Sequence, residues 1–143
     1  MSRNKQLDPE RLNKSWSSFW TTPTVTALPE TFPDGYDGAM LQFWEEQLAG
    51  EFGHIVDLAT GNGALVWIAH DIQSKQEKPA KITGVDLADI DPFAALNRPR
   101  KKYPTISFIG GTSADSLSFA DHSIDVVISQ YGIEYSNLEK TIA

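Results

Sequence analysis

His54-Ile55-Val56-Asp57-Leu58-Ala59-Thr60-Gly61-Asn62-Gly63-Ala64 is the stretch whose reading decides the rest of the chain. An apolar run ends in an acid, two glycines flank an asparagine, and a helical pattern follows. This predicts a buried strand, a tight turn and the first turn of a helix. Glycine at 61 and 63 removes Cβ where something approaches the backbone closely, and opens φ values that other residues avoid. The helix behind the turn offers unpaired N–H groups. Alone, the turn reads equally well as an ordinary strand-to-helix connection packed with small residues.

Working outward, Leu65, Ile68, Ala69 and Ile72 recur at i, i+3, i+4 and i+7, the signature of an amphipathic helix, which the polar run Gln73 to Lys78 and Pro79 close. His70 lies on it as a solvent-side or packing residue. Lys81 to Leu87 is a second apolar run, again ending in an acid, Asp86. Asp91-Pro92 caps a short helix, Phe93 to Leu96, stopped by Pro99. The cations Arg98, Arg100, Lys101 and Lys102 read as a solvated helix end or, alternatively, a phosphate contact. Ile106 to Ile109 and Ile124 to Ser129 are the third and fourth strands, with a small polar stretch from Gly110 to Ser116 between them. Ser136-Asn137-Leu138-Glu139 is a capping box opening a further helix. Apolar strands separated by helical stretches predict an α/β fold, a doubly wound parallel sheet with helices on both faces. Ligands of such sheets sit at the carboxyl ends of the strands. Asp57 to Gly63, Asp86 with Leu87, and Thr112 to Asp115 therefore converge.

Toward the N-terminus, Asp8-Pro9-Glu10 starts a helix whose Leu12, Trp16, Phe19 and Trp20 share one face. It packs on the domain or closes as a lid over a ligand, with Trp20 as a candidate. Residues 21–38 form a Pro- and Gly-rich loop. Asp37 caps the next helix, with Met40, Leu41, Phe43, Trp44 and Leu48 on its buried face and Gly50 at its end. Tyr36, just before that cap, faces a ligand or packs at the helix entry. The chain thus divides into a helical or lid segment, 1–50, and an α/β core, 51–143.

Composition narrows the function classes. The 143 residues are 41% hydrophobic and 22% charged, enough for one domain with a core. Net charge is -7, which disfavours nucleic acid as a partner. The absence of cysteine removes disulfides, thiolate metal sites and thiol nucleophiles and fits a cytoplasmic location; no metal site is expected. No apolar run approaches the ~20 residues of a membrane span.

Asp86, 25 residues beyond Gly61, is placed to accept hydrogen bonds from ribose hydroxyls, or else to cap a helix in solvent. The turn lacks the third glycine of the dinucleotide fingerprint, since Gly61-x-Gly63-x-x-Val66 carries valine there. NAD is thereby the second choice of ligand.

Val56 to Gly63 resembles motif I of class I S-adenosylmethionine-dependent methyltransferases, Asp-x-Gly-x-Gly-x-Gly. Gly84-Val85-Asp86-Leu87 resembles the family's acidic motif. Thr112 to Phe119 is similar to its Gly-Asp-Ala-Glu-x-Leu-Pro-Phe stretch, and Ser123 to Ser129 to its fourth-strand motif. Four motifs in the family's order span residues 51–138, in a ubiquinone-biosynthesis-like set. The resemblance implies a Rossmann-like fold and S-adenosyl-L-methionine as cofactor. It implies that Gly61 and Gly63 admit the methionine moiety and that Asp57 holds its amino group through water. Asp86 would take the ribose hydroxyls, Leu87 would pack on adenine, and Ser113 and Ala114 would meet the adenine edge. Gln130 and Tyr131 would lie near the sulfonium, with Ala59, Thr60, Asn62 and Thr112 completing the cofactor set.

Departures from the family pattern are specific. Ala59 stands for the motif's first glycine and Ser113 for its adenine-binding aspartate. The family's strand order, 3-2-1-4-5-7-6, continues beyond the fourth strand, so the sheet is expected to be truncated there. The apolar fourth strand is then an edge, to be covered by further chain or by an oligomeric partner. Ser129-Gln130-Tyr131-Gly132 is not the Asn/Asp-Pro-Pro-Tyr/Phe signature of amino-group methylation, and no catalytic base stands out. The expected activity is methyl transfer to a small-molecule or side-chain acceptor. A non-catalytic cofactor-binding module and an NAD-dependent oxidoreductase are the alternatives.

Overall fold

The computed structural model describes residues 8–132, so the Ser136 to Glu139 capping box lies outside the described residues. The first helix, α1 (Pro9–Phe19), starts as its sequence dictates: Asp8 Oδ1 accepts the Glu10 N–H, with Pro9 at the first helical position. Trp20 ends it, buried, and stacks on Trp16 one turn back with ring centroids 5.9 Å apart.

Helix α2 (Gly38–Gln47) departs from expectation at both ends. Asp37 occupies the cap position, but its side chain makes no cap hydrogen bond, because the chain enters through an extended residue followed by Gly38 at φ +55°. Leu48, not Gly50, terminates the helix. The side chain of Gln73 donates to the carbonyls of Leu48 and Gly50, both at 2.9 Å, so a neighbouring helix supplies the C-terminal partner. Gln73, expected in a solvated run, is therefore 1% exposed. Trp44 and Leu48 are buried and Met40 and Leu41 partly so, whereas Phe43 stands 50% exposed, turned off the buried stripe.

Four parallel strands follow, β1 (His54–Leu58), β2 (Lys81–Val85), β3 (Ile106–Ile109) and β4 (Val126–Ile128), in the order β3-β2-β1-β4. Helix α3 (Ala64–Gln73) connects β1 to β2, and the one-turn α4 (Pro92–Ala95) follows β2. The parallel order is that expected of the α/β sheet, but among the described residues helices cover one face and not both, because the connection from β3 to β4 contains no helix. In register, Ile55, Ile82 and Ile106 lie abreast on one face and join Trp44, Val66, Ala69 and Phe93, so α2, α3 and α4 cover that face. The opposite face presents Val56, Leu58 and Val85. Ala114, Leu117, Phe119 and Ile124, from the helix-free connection between β3 and β4, cover it. On the same face runs a polar ladder from His54 Nε2 to Thr83 Oγ1 (2.8 Å) and on to Ser107 Oγ (3.3 Å).

β4 is shorter than its apolar run. Ile124 packs under the sheet, and Asp125 Oδ2 accepts the Gly53 and His54 N–H groups at the start of β1. Ser129 Oγ donates to Leu58 O. Each residue leaves the ladder for a specific partner. β4 pairs with β1, and among the described residues it has no strand on its other side. Of the basic cluster, the Arg98 guanidinium lies 4.3 Å over Trp67, and Arg100 lies 4.8 Å over Phe93 and 3.2 Å from Asp91. His70 packs on Tyr103, ring centroids 5.0 Å apart. No helix among the described residues is long and apolar enough to cross a membrane.

Candidate functional site

A cavity of about 340 Å³ lies over the carboxyl ends of all four strands. Ala59 and Thr60 line it from the β1 turn, Asp86, Leu87 and Ala88 from the end of β2, and Thr112, Ser113 and Ala114 from the segment after β3. Gln130, Tyr131 and Gly132 follow β4. Leu12, Trp16 and Trp20 of the α1 segment roof it, and Tyr36 closes one side. Among the described residues Asp86 is the one charged residue in this lining.

The turn beneath the cavity is held by its own backbone. Thr60 N–H donates to Val85 O, tying the turn to β2, and Gly63 N–H donates to Thr60 O. Gly61 N–H donates to Asp86 Oδ2 at 2.7 Å, and Ala88 N–H to Oδ1 at 2.9 Å. Burial raises the pKa of Asp86, opposed by the N–H groups of Ala88, Gly61 and Leu87. Asp57 sits below, 2% exposed and outside the cavity wall, accepting the Thr60 hydroxyl at 2.6 Å. Burial pushes its carboxyl up to about 7, with the Thr60 hydrogen bond opposing and Asp86 adding to the rise.

The glycines serve a different neighbour from the one the sequence suggests. Gly61 (φ +56°) lies against the six-membered ring of Trp20, and a Cβ there would overlap it. Gly63 (φ +82°) faces Phe108, whose ring atoms lie 2.8 Å from where a Cβ would sit. The space freed by the missing side chains is thus filled by the protein's own aromatic rings. Asn62, fully buried, donates from Nδ2 to Thr22 O and Thr24 O, fastening the loop after α1 to the turn. Asp57, Gly61, Asn62 and Gly63 therefore support the site from below, and the other residues named from sequence meet in its walls. Ala59 adopts φ +54°, a left-handed conformation, which explains why the resembling motif carries glycine there.

The β4 end of the cavity is aromatic. Tyr36 is buried against Phe32 (5.2 Å) and tilted toward Tyr131 (6.3 Å). Burial, then the charges of Asp57 and Tyr131, push its phenol up to about 12, so it stays protonated and can donate. Gln130 Oε1 accepts the Trp44 indole N–H at 3.1 Å. Ser113 Oγ donates to Asp115 Oδ1. The aromatic face of α1, offered by the sequence as packing or as a lid with Trp20 as its candidate, lies over the cavity with Trp16 beside Trp20. The sequence has no local signal for Trp44 meeting Gln130, 86 residues away.

Two solved structures share this architecture. One, from Methanococcus maripaludis, is named as a candidate S-adenosyl-L-methionine-dependent methyltransferase. It aligns at a TM-score of 0.58 and 15% identity over 99% of this chain and 59% of its own. The YcgJ protein of Bacillus subtilis aligns at 0.56 and 20% identity over 71% of this chain and 42% of its own. The chain therefore spans 59% and 42% of the lengths of these two proteins. No family model and no curated protein matches the sequence. What is shared is the fold, a Rossmann-like α/β architecture.

Proposed function

We propose that this chain binds S-adenosyl-L-methionine in the cavity above the strands and serves methyl transfer to a small-molecule acceptor. One observation carries the reading: one cavity joins the ends of all four strands, with Asp86 as its one charge among the described residues and aromatic rings around it. A carboxylate has about four lone-pair sites; the Gly61 and Ala88 N–H groups take two on Asp86 and the Leu87 N–H bears on a third, leaving room for a ribose hydroxyl. Leu87, 54% exposed, and Ala114 offer apolar surface beside it for an adenine ring. The rings of Trp16, Trp20, Tyr36 and Tyr131, with no cation among the described lining residues, suit a ligand bearing positive charge.

The same features disfavour a dinucleotide. The Gly61 and Gly63 N–H groups are already used, the open sides of both glycines are filled, and among the described residues no Lys or Arg lines the cavity to meet a pyrophosphate. The bound cofactor would supply a methyl group on a sulfonium leaving group. The protein then supplies proximity, orientation and exclusion of water. Calorimetric titration with S-adenosylhomocysteine and with NADH tests this. Binding of the first alone is expected, and binding of NADH alone would overturn the reading.

A further inference from the structure

We propose that Gln130 selects the methyl acceptor. It offers the cavity hydrogen-bond donors and no acceptor, so the acceptor is an oxygen nucleophile entering as an oxyanion, an ionised phenol or enol, and not an amine. The inference rests on the methyl-transfer reading above. The Trp44 indole carries one donor and no acceptor. The Gln130 atom that it meets at 3.1 Å is therefore the carbonyl oxygen, and this contact fixes the rotation of the amide. Nε2 is left with two N–H groups and no protein partner among the described residues, on a residue that lines the cavity. Trp44 is 7% exposed and packs in one core cluster with Ile128, two residues before Gln130, so packing anchors both sides of the contact.

The surroundings point the same way. Tyr36 lines this end as a protonated phenol, another donor. Thr26 nearby is already committed, its hydroxyl donating to Phe32 O and accepting the Leu28 N–H. Among the described residues no His, Lys or Glu lines the cavity, and the Asp86 carboxylate sits at the β2 end, holding the Gly61 and Ala88 N–H groups. An amine must be held through its N–H groups by acceptors and must give up a proton to a base. Among the described residues the lining holds no base beside Gln130, and side-chain acceptors such as Asn13 and the hydroxyls of Thr112 and Ser113 come from α1 and the segment after β3. An oxyanion needs donors and no base. Its lone pair forms the new O–C bond, sulfur keeps the pair of the bond that breaks, and the opposite charges cancel with no proton left to place.

4-Nitrophenol and 4-nitroaniline are coloured probes that differ at this one group. Their binding to the full chain at saturating S-adenosylhomocysteine is read by absorbance. The phenol is expected to bind as phenolate, its pKa lowered, at least about tenfold more tightly than the aniline. Gln130→Glu keeps the acceptor for Trp44 and replaces the two donors with a carboxylate oxygen, so the preference should invert. Trp44→Phe frees the amide to turn either way and should shrink the ratio to about threefold or less. Equal binding of the two probes by the unmodified chain, or a ratio unmoved by both substitutions, would overturn the assignment alone. Failure of S-adenosylhomocysteine itself to bind would overturn the cofactor reading and this assignment with it.

Discussion

The indole of Trp20 rests against the α-carbon of Gly61, filling the space that a side chain at that position would need. The turn after β1 is therefore a socket for the segment that follows α1. Gly61→Ala should destabilise the fold by about 3 kcal/mol. About 1–2 kcal/mol comes from the left-handed conformation and the rest from overlap with the ring. In a Trp20→Ala background the overlap part disappears, so urea denaturation of the four chains should give a coupling of at least about 1 kcal/mol. Strict additivity would show that the two residues do not meet.

Asp57 gives stability a pH dependence with a defined sign. Its carboxyl titrates at about 7 in the folded chain, against about 3.9 when unfolded. Between these values the folded state keeps a proton that the unfolded state has lost, so this group makes stability fall as pH rises from 4 to 7. Above 7 its penalty is complete, of order 4 kcal/mol. Asp57→Asn, which cannot ionise but still accepts the Thr60 hydroxyl, should be more stable than the parent at pH 8. The two melting temperatures should converge toward pH 4. A difference independent of pH would contradict this.

Ala59 and Gly132 form a second pair in which glycine matters. Ala59 is left-handed, and a Cβ on Gly132 would overlap its methyl group. Ala59→Gly should be neutral or stabilising by up to about 1 kcal/mol, unlike most such changes, because relief of the backbone offsets the added freedom of glycine. Gly132→Ala should lose about 1–3 kcal/mol, and Ala59→Gly should restore most of it. Thermal unfolding of the two single variants and the double variant checks the cycle.

Gln73 supplies the end of α2. Its amide donates to Leu48 O and Gly50 O and accepts the Ala80 N–H, all from a side chain 1% exposed. Gln73→Ala should lose about 2–4 kcal/mol, since it strands several backbone groups. Gln76 makes a similar bond to Ala49 O at the surface, and Gln76→Ala should lose about 0.5 kcal/mol or less. Similar losses from the two in chemical denaturation would argue against this role.

These pairs show where the sequence could and could not be read. Strand identity and the polar ends of β1 and β2 follow from hydrophobic runs and turn residues, which are local signals, whereas the strand order is implied only by the family resemblance. Gln73 reads as solvated because its neighbours are polar, and only the distant carbonyls of Leu48 and Gly50 bring it inside. Phe43 reads as buried by helical spacing, but the adjacent Trp44 takes the core position. The glycines were legible as places of close approach. That the approaching groups are Trp20 and Phe108 depends on long-range packing that no local pattern carries. Gln130 was legible as a position at the end of β4, whereas its orientation depends on Trp44.

A crystal structure of the chain with S-adenosylhomocysteine tests the central claim most directly. A ribose hydroxyl is expected on Asp86, with the adenine against Leu87 and Ala114 and the sulfur toward Gln130 and Tyr131. A nucleoside bound away from Asp86, or a cavity still empty at saturating ligand, would contradict it.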